Sequence, residues 1–479
     1  MISRSQLNPC LLNAEYAVRG PIVQRAQELE AMGRRVIYCN IGNPQALKQR
    51  PLSYLRQVLS LVEYPALLEP PSVRKLFPSD IIERARHILT WHPHGTGAYT
   101  QSPGIPFVRQ AVADFISKRD GIPADKDHVI LTDGASKGAQ SVILALLRSS
   151  SDGFMIPIPQ YPLYSATLTL FGGAQVGYYL DEGNRWQLSE EILSASYAGA
   201  RASGITPVCL VVINPGNPTG AVLSGENIAM IVRFASAHNL AVVADEVYQE
   251  NVYASGKRFT SFARVMHDLQ ERDVPLFSLH SVSKGYLGEC GHRGGYMEIR
   301  NVPDDVLAEF IKQQTISLCA NVDGQLATYL MVAPPLPGDE SYAVFASERD
   351  QVLESLKRKA RILGEGINAI PGMHLEFPEG AMYGFVRFEL PGSGDRGGTL
   401  TTEEIRAAEA ERDTAYCLAL LEETGICVVP GSGFGQQPGT FHFRTTFLPP
   451  QEEIEELVNG LRMFHIRYTR EVAESIGER

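Results

Sequence analysis

The 479-residue chain has no apolar run approaching the ~18–20 residues that cross a bilayer; its longest uninterrupted stretches, such as Cys209-Leu210-Val211-Val212-Ile213, have the length of a strand. No membrane partner is expected. Cysteines are few, seven in all, odd in number and scattered over positions 10, 39, 209, 290, 319, 417 and 427 without a C-x-x-C pair, which speaks against a disulfide framework and for free thiols in a reducing compartment. Of eleven histidines only His92 and His94 stand close together, and no third ligand follows at a zinc spacing, so no metal is expected. Positive charge is also short: 43 Lys and Arg against 54 Asp and Glu leave −11, which gives no electrostatic basis for nucleic-acid binding. The first twenty residues lack the apolar core of a secretory signal and include Glu15 with only two arginines, and the last three are Gly-Glu-Arg, so the expectation is a cytoplasmic protein.

What is present is an ordinary globular balance, 44% apolar and 20% charged, enough to bury a sizeable core. Pro21 opens a helical pattern that stops at Gly33, and residues 35–40 alternate as a strand. A Pro-rich connector covers 65–78. From about 105 to 330, strands expected at 128–132, 153–158, 208–213, 240–244 and 276–279 alternate with helices at 107–117, 135–147 and 226–238. That rhythm implies βαβ units and a mostly parallel sheet covered by helices. Beyond Pro334-Pro335-Leu336-Pro337 the pattern changes to a helix at 344–367, strands near 373–377 and 383–390, a Gly-rich loop at 392–398, a helix at 402–424, and strands near 426–429 and 440–446. The fold class is α/β, a large domain over 76–335 with a smaller α+β domain built from both chain ends, 336–479 and part of 1–75.

Ligands collect beyond the carboxyl ends of strands in such sheets, so the residues that end each apolar run matter most. Residues 128–132 lead into Asp133-Gly134-Ala135-Ser136-Lys137-Gly138 and a helix start, either a simple cap or a cup of backbone N–H groups for phosphate. Residues 208–213 lead into Asn214-Pro215-Gly216-Asn217-Pro218-Thr219-Gly220, either a rigid turn or a frame presenting the Asn217 amide. Residues 240–244 end in Asp245-Glu246-Val247-Tyr248, an acid that either caps a helix or faces a ligand. Residues 276–279 lead into His280-Ser281-Val282-Ser283-Lys284, with Arg293 nine positions later inside a glycine-rich turn. A lysine there is either an ordinary surface cation or one in a partly desolvated cleft, where its amine becomes a nucleophile towards carbonyl carbon. Arg444 lies in an aromatic strand after Phe441, His442 and Phe443; it is either a surface cation or a buried one that needs a carboxylate. Gly431-x-Gly433-x-Gly435 is not a dinucleotide fingerprint, because Gln436-Gln437-Pro438-Gly439 follows where a helix should begin.

In this order the segments resemble the fold-type I pyridoxal-phosphate enzymes of the class I and II aminotransferase family, from about Arg19 to Leu448, through Gly42-Asn43-Pro44, Ala98-Tyr99-Thr100, Gly134-Ala135-Ser136, Asn217-Pro218-Thr219-Gly220, Asp245-Glu246-Val247-Tyr248, Ser281-Val282-Ser283-Lys284, Arg293-Gly294-Gly295-Tyr296 and His442-Phe443-Arg444. Tyr38 to Ala46, Pro157 to Tyr164, Gly288-Glu289-Cys290-Gly291 and Val429 to Gly435 are similar to the alanine aminotransferase branch. The nine-residue spacing from Lys284 to Arg293, where eight is more usual, goes with the Glu289-Cys290 loop of that branch.

The resemblance implies pyridoxal 5'-phosphate as cofactor. It implies Lys284 as the Schiff-base lysine and proton carrier, Asp245 as the partner of the pyridine nitrogen, and Tyr248 and Asn217 as hydrogen-bonding groups on the ring oxygen. Tyr161 would stack on the ring; the Ala135 N–H, Ser136, Ser281 and Arg293, assisted by Ser283, would hold the phosphate. Tyr99 would reach that phosphate from a partner subunit, which makes a homodimer part of the expectation, and Arg444 with Gly42 nearby would grip the substrate α-carboxylate. The implied reaction is L-alanine plus 2-oxoglutarate to pyruvate plus L-glutamate, with amino-acid and 2-oxo-acid substrates. Glutamate–glyoxylate aminotransferase is a close variant, and a lyase such as aminocyclopropane-carboxylate synthase uses the same lysine. A non-catalytic regulator on this fold would need a DNA-binding module, for which the chain has neither spare length nor a basic patch.

Overall fold

Short apolar runs closed by Gly, Pro, Asp or Ser become the strands of a seven-stranded sheet in the computed structural model, which describes residues 2–16, 20–392 and 402–477. In chain order they are Val129–Thr132, Asp152–Ile158, Ala174–Tyr179, Thr206–Ile213, Ala241–Asp245, Leu276–Ser281 and Gly295–Arg300. Named by first residue, their spatial order is 129, 295, 276, 241, 206, 152, 174. All neighbours pair in parallel except the Gly295 strand, which runs antiparallel to both of its own. The central strands are buried along their whole length, as expected for a sheet covered on both faces. Alternate side chains divide between the two faces. Leu210, Val212, Val242 and Ala244 pack with Ile228, Ile231 and Phe262 on one side, while Cys209, Val211, Ala241 and Val243 pack with Val142, Ile143 and Phe310 on the other.

The early strand joins the late chain, as its sequence suggested: Ile37–Tyr38 pairs in parallel with Ile426–Cys427. A separate antiparallel sheet has the order Val429–Pro430, Phe441–Thr446, Tyr383–Phe388, Met373–His374. The run read as one strand over 426–429 thus serves two sheets, with Val428 at the changeover. Helices Pro21–Ala31, Tyr342–Asn368, Thr402–Thr424 and Gln451–Ile476 accompany these strands, and Leu29, Leu363, Ile367, Leu420, Leu457 and Leu461 share one core. Each such buried side chain contributes roughly 1.5–3 kcal/mol relative to exposure.

Several elements lie where the sequence reading assigned none: helices Ser53–Glu63, Ser79–Trp91, Leu163–Phe171, Glu190–Ala202, Asp304–Ile316 and Val322–Val332, and the edge strand Ala174–Tyr179. Ser53–Glu63 packs through Leu55, Val58 and Leu61 into the core that holds Leu131, Val282 and Leu326. The 65–78 connector contains two short 3-10 turns, Pro65–Leu68 and Pro71–Lys75. Beyond Gly392 the Gly-rich loop read at 392–398 lies outside the described residues. Gly431–Phe434 forms a 3-10 turn that runs into coil, with no helix behind it. Among the described residues no helix is long and apolar enough to cross a membrane, and no three His, Cys, Asp or Glu side chains are grouped to hold a metal ion.

Candidate active site

Parallel register sets Ile213, Asp245 and Leu279 side by side at one sheet edge, so the segments that follow each strand open into common space. There a cavity of about 440 Å³ is lined by Gly42, Ala135, Ser136, Tyr161, Asn217, Asp245, Tyr248, Ser281, Ser283, Lys284, Arg293 and Arg444. Of the residues expected at the site only Tyr99 lies outside the lining; it is 78% exposed on the surface of this chain.

Asp245 ends its strand 4% exposed. Tyr164 Oη donates to Oδ2 at 2.8 Å, whereas Oδ1 is buried with no hydrogen-bond partner. Burial pushes this carboxyl up to about 6, against the opposing pull of the Tyr164 hydroxyl, the Val247 N–H and Lys284. An unpartnered buried acceptor of this kind fits a cationic N–H donor from a ligand, which would restore the carboxylate.

Lys284 Nζ donates to the Gly42 carbonyl at 2.7 Å and stands 5.7 Å from the centre of the Tyr248 ring. Gly42 is fixed in identity by crowding: a Cβ there would stand 1.7 Å from Tyr383 Oη and 3.0 Å from Lys284 Nζ. Burial pushes the Tyr248 phenol well above its ordinary value.

The helix Ala135–Leu146 begins immediately after the Val129–Thr132 strand, so its first N–H groups border the cavity. Arg293 reaches this helix end, donating from Nη2 to Ser136 Oγ at 3.2 Å and to the Asp133 carbonyl at 3.0 Å. Gly134 has φ +77°, and a Cβ on it would meet Arg293 Nη2 at 2.5 Å. Ser281 Oγ donates to Ser283 Oγ at 2.9 Å and receives the Ser283 N–H at 3.1 Å. Hydroxyls, helix-end N–H groups and a guanidinium thus cluster in a cup whose donors suit a phosphate dianion.

Arg444 faces this cup from the small antiparallel sheet and is 1% exposed. Its guanidinium is sandwiched between the rings of Tyr383 at 4.4 Å and Phe434 at 4.6 Å. It donates to Asn217 Oδ1 at 3.3 Å and to the Asn40 carbonyl, while Nε has no partner. No acidic side chain pairs with it among the described residues, so a buried cation awaits an anion.

The lining also includes Tyr383, Tyr16 and Cys290, to which the sequence assigns no role, and Tyr164 stands behind it. Tyr383 and Arg444 come from neighbouring strands; Tyr164 supports Asp245; Tyr16 Oη and Tyr161 Oη share a hydrogen bond of 2.9 Å; and Cys290 Sγ donates to the Ser283 carbonyl at 3.2 Å. Asn321, also missed, ties Asp133 to the Arg293 carbonyl from outside the cavity. Tyr164 stands in a segment the family likeness covers, and Tyr383 opens an expected strand, but neither has a local pattern that marks a site.

A lysine among hydroxyls, a buried carboxyl oxygen without a partner and two separate clusters of cationic and N–H donors share one cavity, the arrangement of an enzyme site suited to small anionic ligands. The family model for aminotransferase class I and II matches residues 72–461. The chain is 46% identical over 474 residues to glutamate–glyoxylate aminotransferase 2 of Arabidopsis thaliana, covering 98% of this chain and 97% of that one. It is 48% identical over 469 residues to a probable mitochondrial alanine aminotransferase of Dictyostelium discoideum, covering 95% and 86%. The solved structure of an alanine aminotransferase from Pyrococcus furiosus matches with a TM-score of 0.75 at 25% identity, over 96% of this chain and 100% of that one. The chain belongs to the class I and II aminotransferase family and is an enzyme, an aminotransferase.

Proposed function

We propose that this aminotransferase uses pyridoxal 5'-phosphate to exchange an amino group between L-alanine and 2-oxoglutarate, giving pyruvate and L-glutamate. The observation that carries the cofactor reading is the buried Asp245 carboxylate with one oxygen unpartnered, across the same cavity as Lys284 and the Ser136–Arg293 cup. Asp245 would hold the protonated ring nitrogen, Tyr248 and Asn217 the ring oxygen, Tyr161 the ring face, and Ala135, Ser136, Ser281, Ser283 and Arg293 the phosphate. When bound, the cofactor supplies an electron sink for charge that develops at the substrate Cα. Arg444 binds the α-carboxylate of donor and acceptor alike and so orients Cα towards Lys284. Lys284 would act as the general acid/base that moves the proton between Cα and the cofactor's C4′.

Two copies of the chain complete the reading, Tyr99 of each reaching the phosphate seat of the other. Likeness to alanine aminotransferases supports alanine as donor, and the 98% coverage of the chain by the glutamate–glyoxylate relative supports glyoxylate as a second acceptor. A turnover assay with paired amino donors and oxo acceptors tests the assignment. The alanine and 2-oxoglutarate pair should give the highest product of specificity constants, and a clear preference for glutamate with glyoxylate would move the enzyme to the neighbouring branch.

A further inference from the structure

Tyr383 opens the strand Tyr383–Phe388, and its phenol is 2% exposed in the cavity wall. Its hydroxyl and Lys284 Nζ border one small space beside Gly42, 1.7 Å and 3.0 Å from where a Cβ would stand, and only a glycine leaves that space open. Tyr248 Oη donates to Tyr383 Oη at 3.4 Å, which makes Tyr383 the acceptor of the pair. The ring lies on the Arg444 guanidinium. The groups that face the hydroxyl are Lys284 and Cys290 from the loop after Leu276–Ser281, Tyr248 from the loop after Ala241–Asp245, Arg444 from the adjacent strand, and Tyr161. Two of these are cations and none is a carboxylate. Burial opposes ionisation of this phenol, but Lys284, Arg444 and the Tyr248 hydrogen bond outweigh it and lower its pKa from the ordinary 10.

We propose that Tyr383 is a further catalytic residue, the proton partner of Lys284; this rests on the reading of Lys284 as the reacting amine. Lys284 must be neutral to take a proton from Cα. One proton passes from the ammonium nitrogen to the phenolate oxygen, an N–H bond breaking as an O–H bond forms, and the proton returns by the same route when Lys284 has to be cationic again. No electrons are exchanged and no co-reactant is needed.

The test uses the holoenzyme and Tyr383→Phe, which keeps the ring on Arg444 and removes only the hydroxyl. Cofactor content stays unchanged, KM for alanine stays within about twofold, kcat falls at least about tenfold, and the ascending limb of the kcat pH profile moves to higher pH because solvent must then accept the lysine proton. A near-ultraviolet tyrosinate titration of the cofactor-free protein gives a readout without turnover. One phenol ionises ahead of the others; the step is missing in Tyr383→Phe and moves to higher pH in Lys284→Ala. An unchanged kcat and pH profile, a rise in KM alone, or a titration that does not respond to Lys284→Ala overturns the proposal. A wild-type holoenzyme with no alanine-dependent pyruvate formation refutes the functional reading instead, and the tyrosinate titration still decides the coupling of Tyr383 to Lys284.

Discussion

Replacing Arg444 with lysine separates charge from geometry at the substrate end of the site. The guanidinium is held flat between Tyr383 and Phe434 and restrained at two edges by Asn217 and the Asn40 carbonyl, so its position is set before any acid arrives. Lysine keeps the positive charge but loses the fork. One charge-assisted hydrogen bond to a carboxylate is worth roughly 1.5–3 kcal/mol, and part of the ring contact, roughly 0.5–2 kcal/mol, goes with it. A loss of about 3 kcal/mol corresponds to roughly a hundredfold drop in kcat/KM at 1.4 kcal/mol per factor of ten. Arg444 touches neither Asp245 nor Arg293, so cofactor content should be unaffected. Steady-state kinetics with the donor and the acceptor varied in turn, beside a cofactor assay on the same preparation, measures this. Because one arginine serves both half-reactions, the loss must be of similar size for alanine and for 2-oxoglutarate. A loss below about threefold, or one confined to a single substrate, would refute the assignment of Arg444.

Asp245→Asn should trade function for stability. Burial raises the carboxyl from 3.8 to about 6, so between those values the folded, cofactor-free chain holds a proton that the unfolded chain has released, and stability falls as pH rises through that window. At pH 8 the asparagine variant, free of cofactor, should therefore unfold at higher denaturant concentration, by up to about 3 kcal/mol, with the gain gone below about pH 4 and its affinity for pyridoxal phosphate reduced. Equal denaturation midpoints at pH 8 would contradict this. Gly134→Ala combines an unfavourable φ with a methyl at 2.5 Å from Arg293 Nη2, and should weaken pyridoxal phosphate binding about tenfold or more in an equilibrium titration while KM for alanine, measured at saturating cofactor, changes little.

The large-domain half of the site was legible because apolar runs stop at polar residues: the strands before Asp245 and Lys284 are buried throughout, and each chemical group stands just past the last apolar position. The register then aligns those ends without further information from the sequence. Tyr383 was hidden because its role comes from an antiparallel neighbour, Arg444, and from Gly42 some 340 positions earlier in the chain, contacts that no local pattern encodes. Tyr164 was obscured by its neighbours Leu163 and Leu168, which give that helix the look of core. The strand Gly295–Arg300 has no assignment in the sequence because Gly294-Gly295 gives its start the look of a turn; in the fold those glycines let two strands and the first turn of a helix meet, a Cβ on Gly295 standing 2.6 Å from the His280 carbonyl. The edge strand Ala174–Tyr179 buries only Val176 and Tyr178, too short an alternation to stand out between two helices.

The central claim is that Lys284 holds pyridoxal phosphate within reach of an amino acid gripped by Arg444. The most direct test is the visible absorbance of purified protein reconstituted with pyridoxal phosphate, before and after L-alanine is added. A lysine-dependent band that alanine bleaches and 2-oxoglutarate restores, absent in Lys284→Ala together with pyruvate formation, is the predicted result. A wild-type protein that takes up no pyridoxal phosphate, or a Lys284→Ala variant that keeps the band and the turnover, would contradict it.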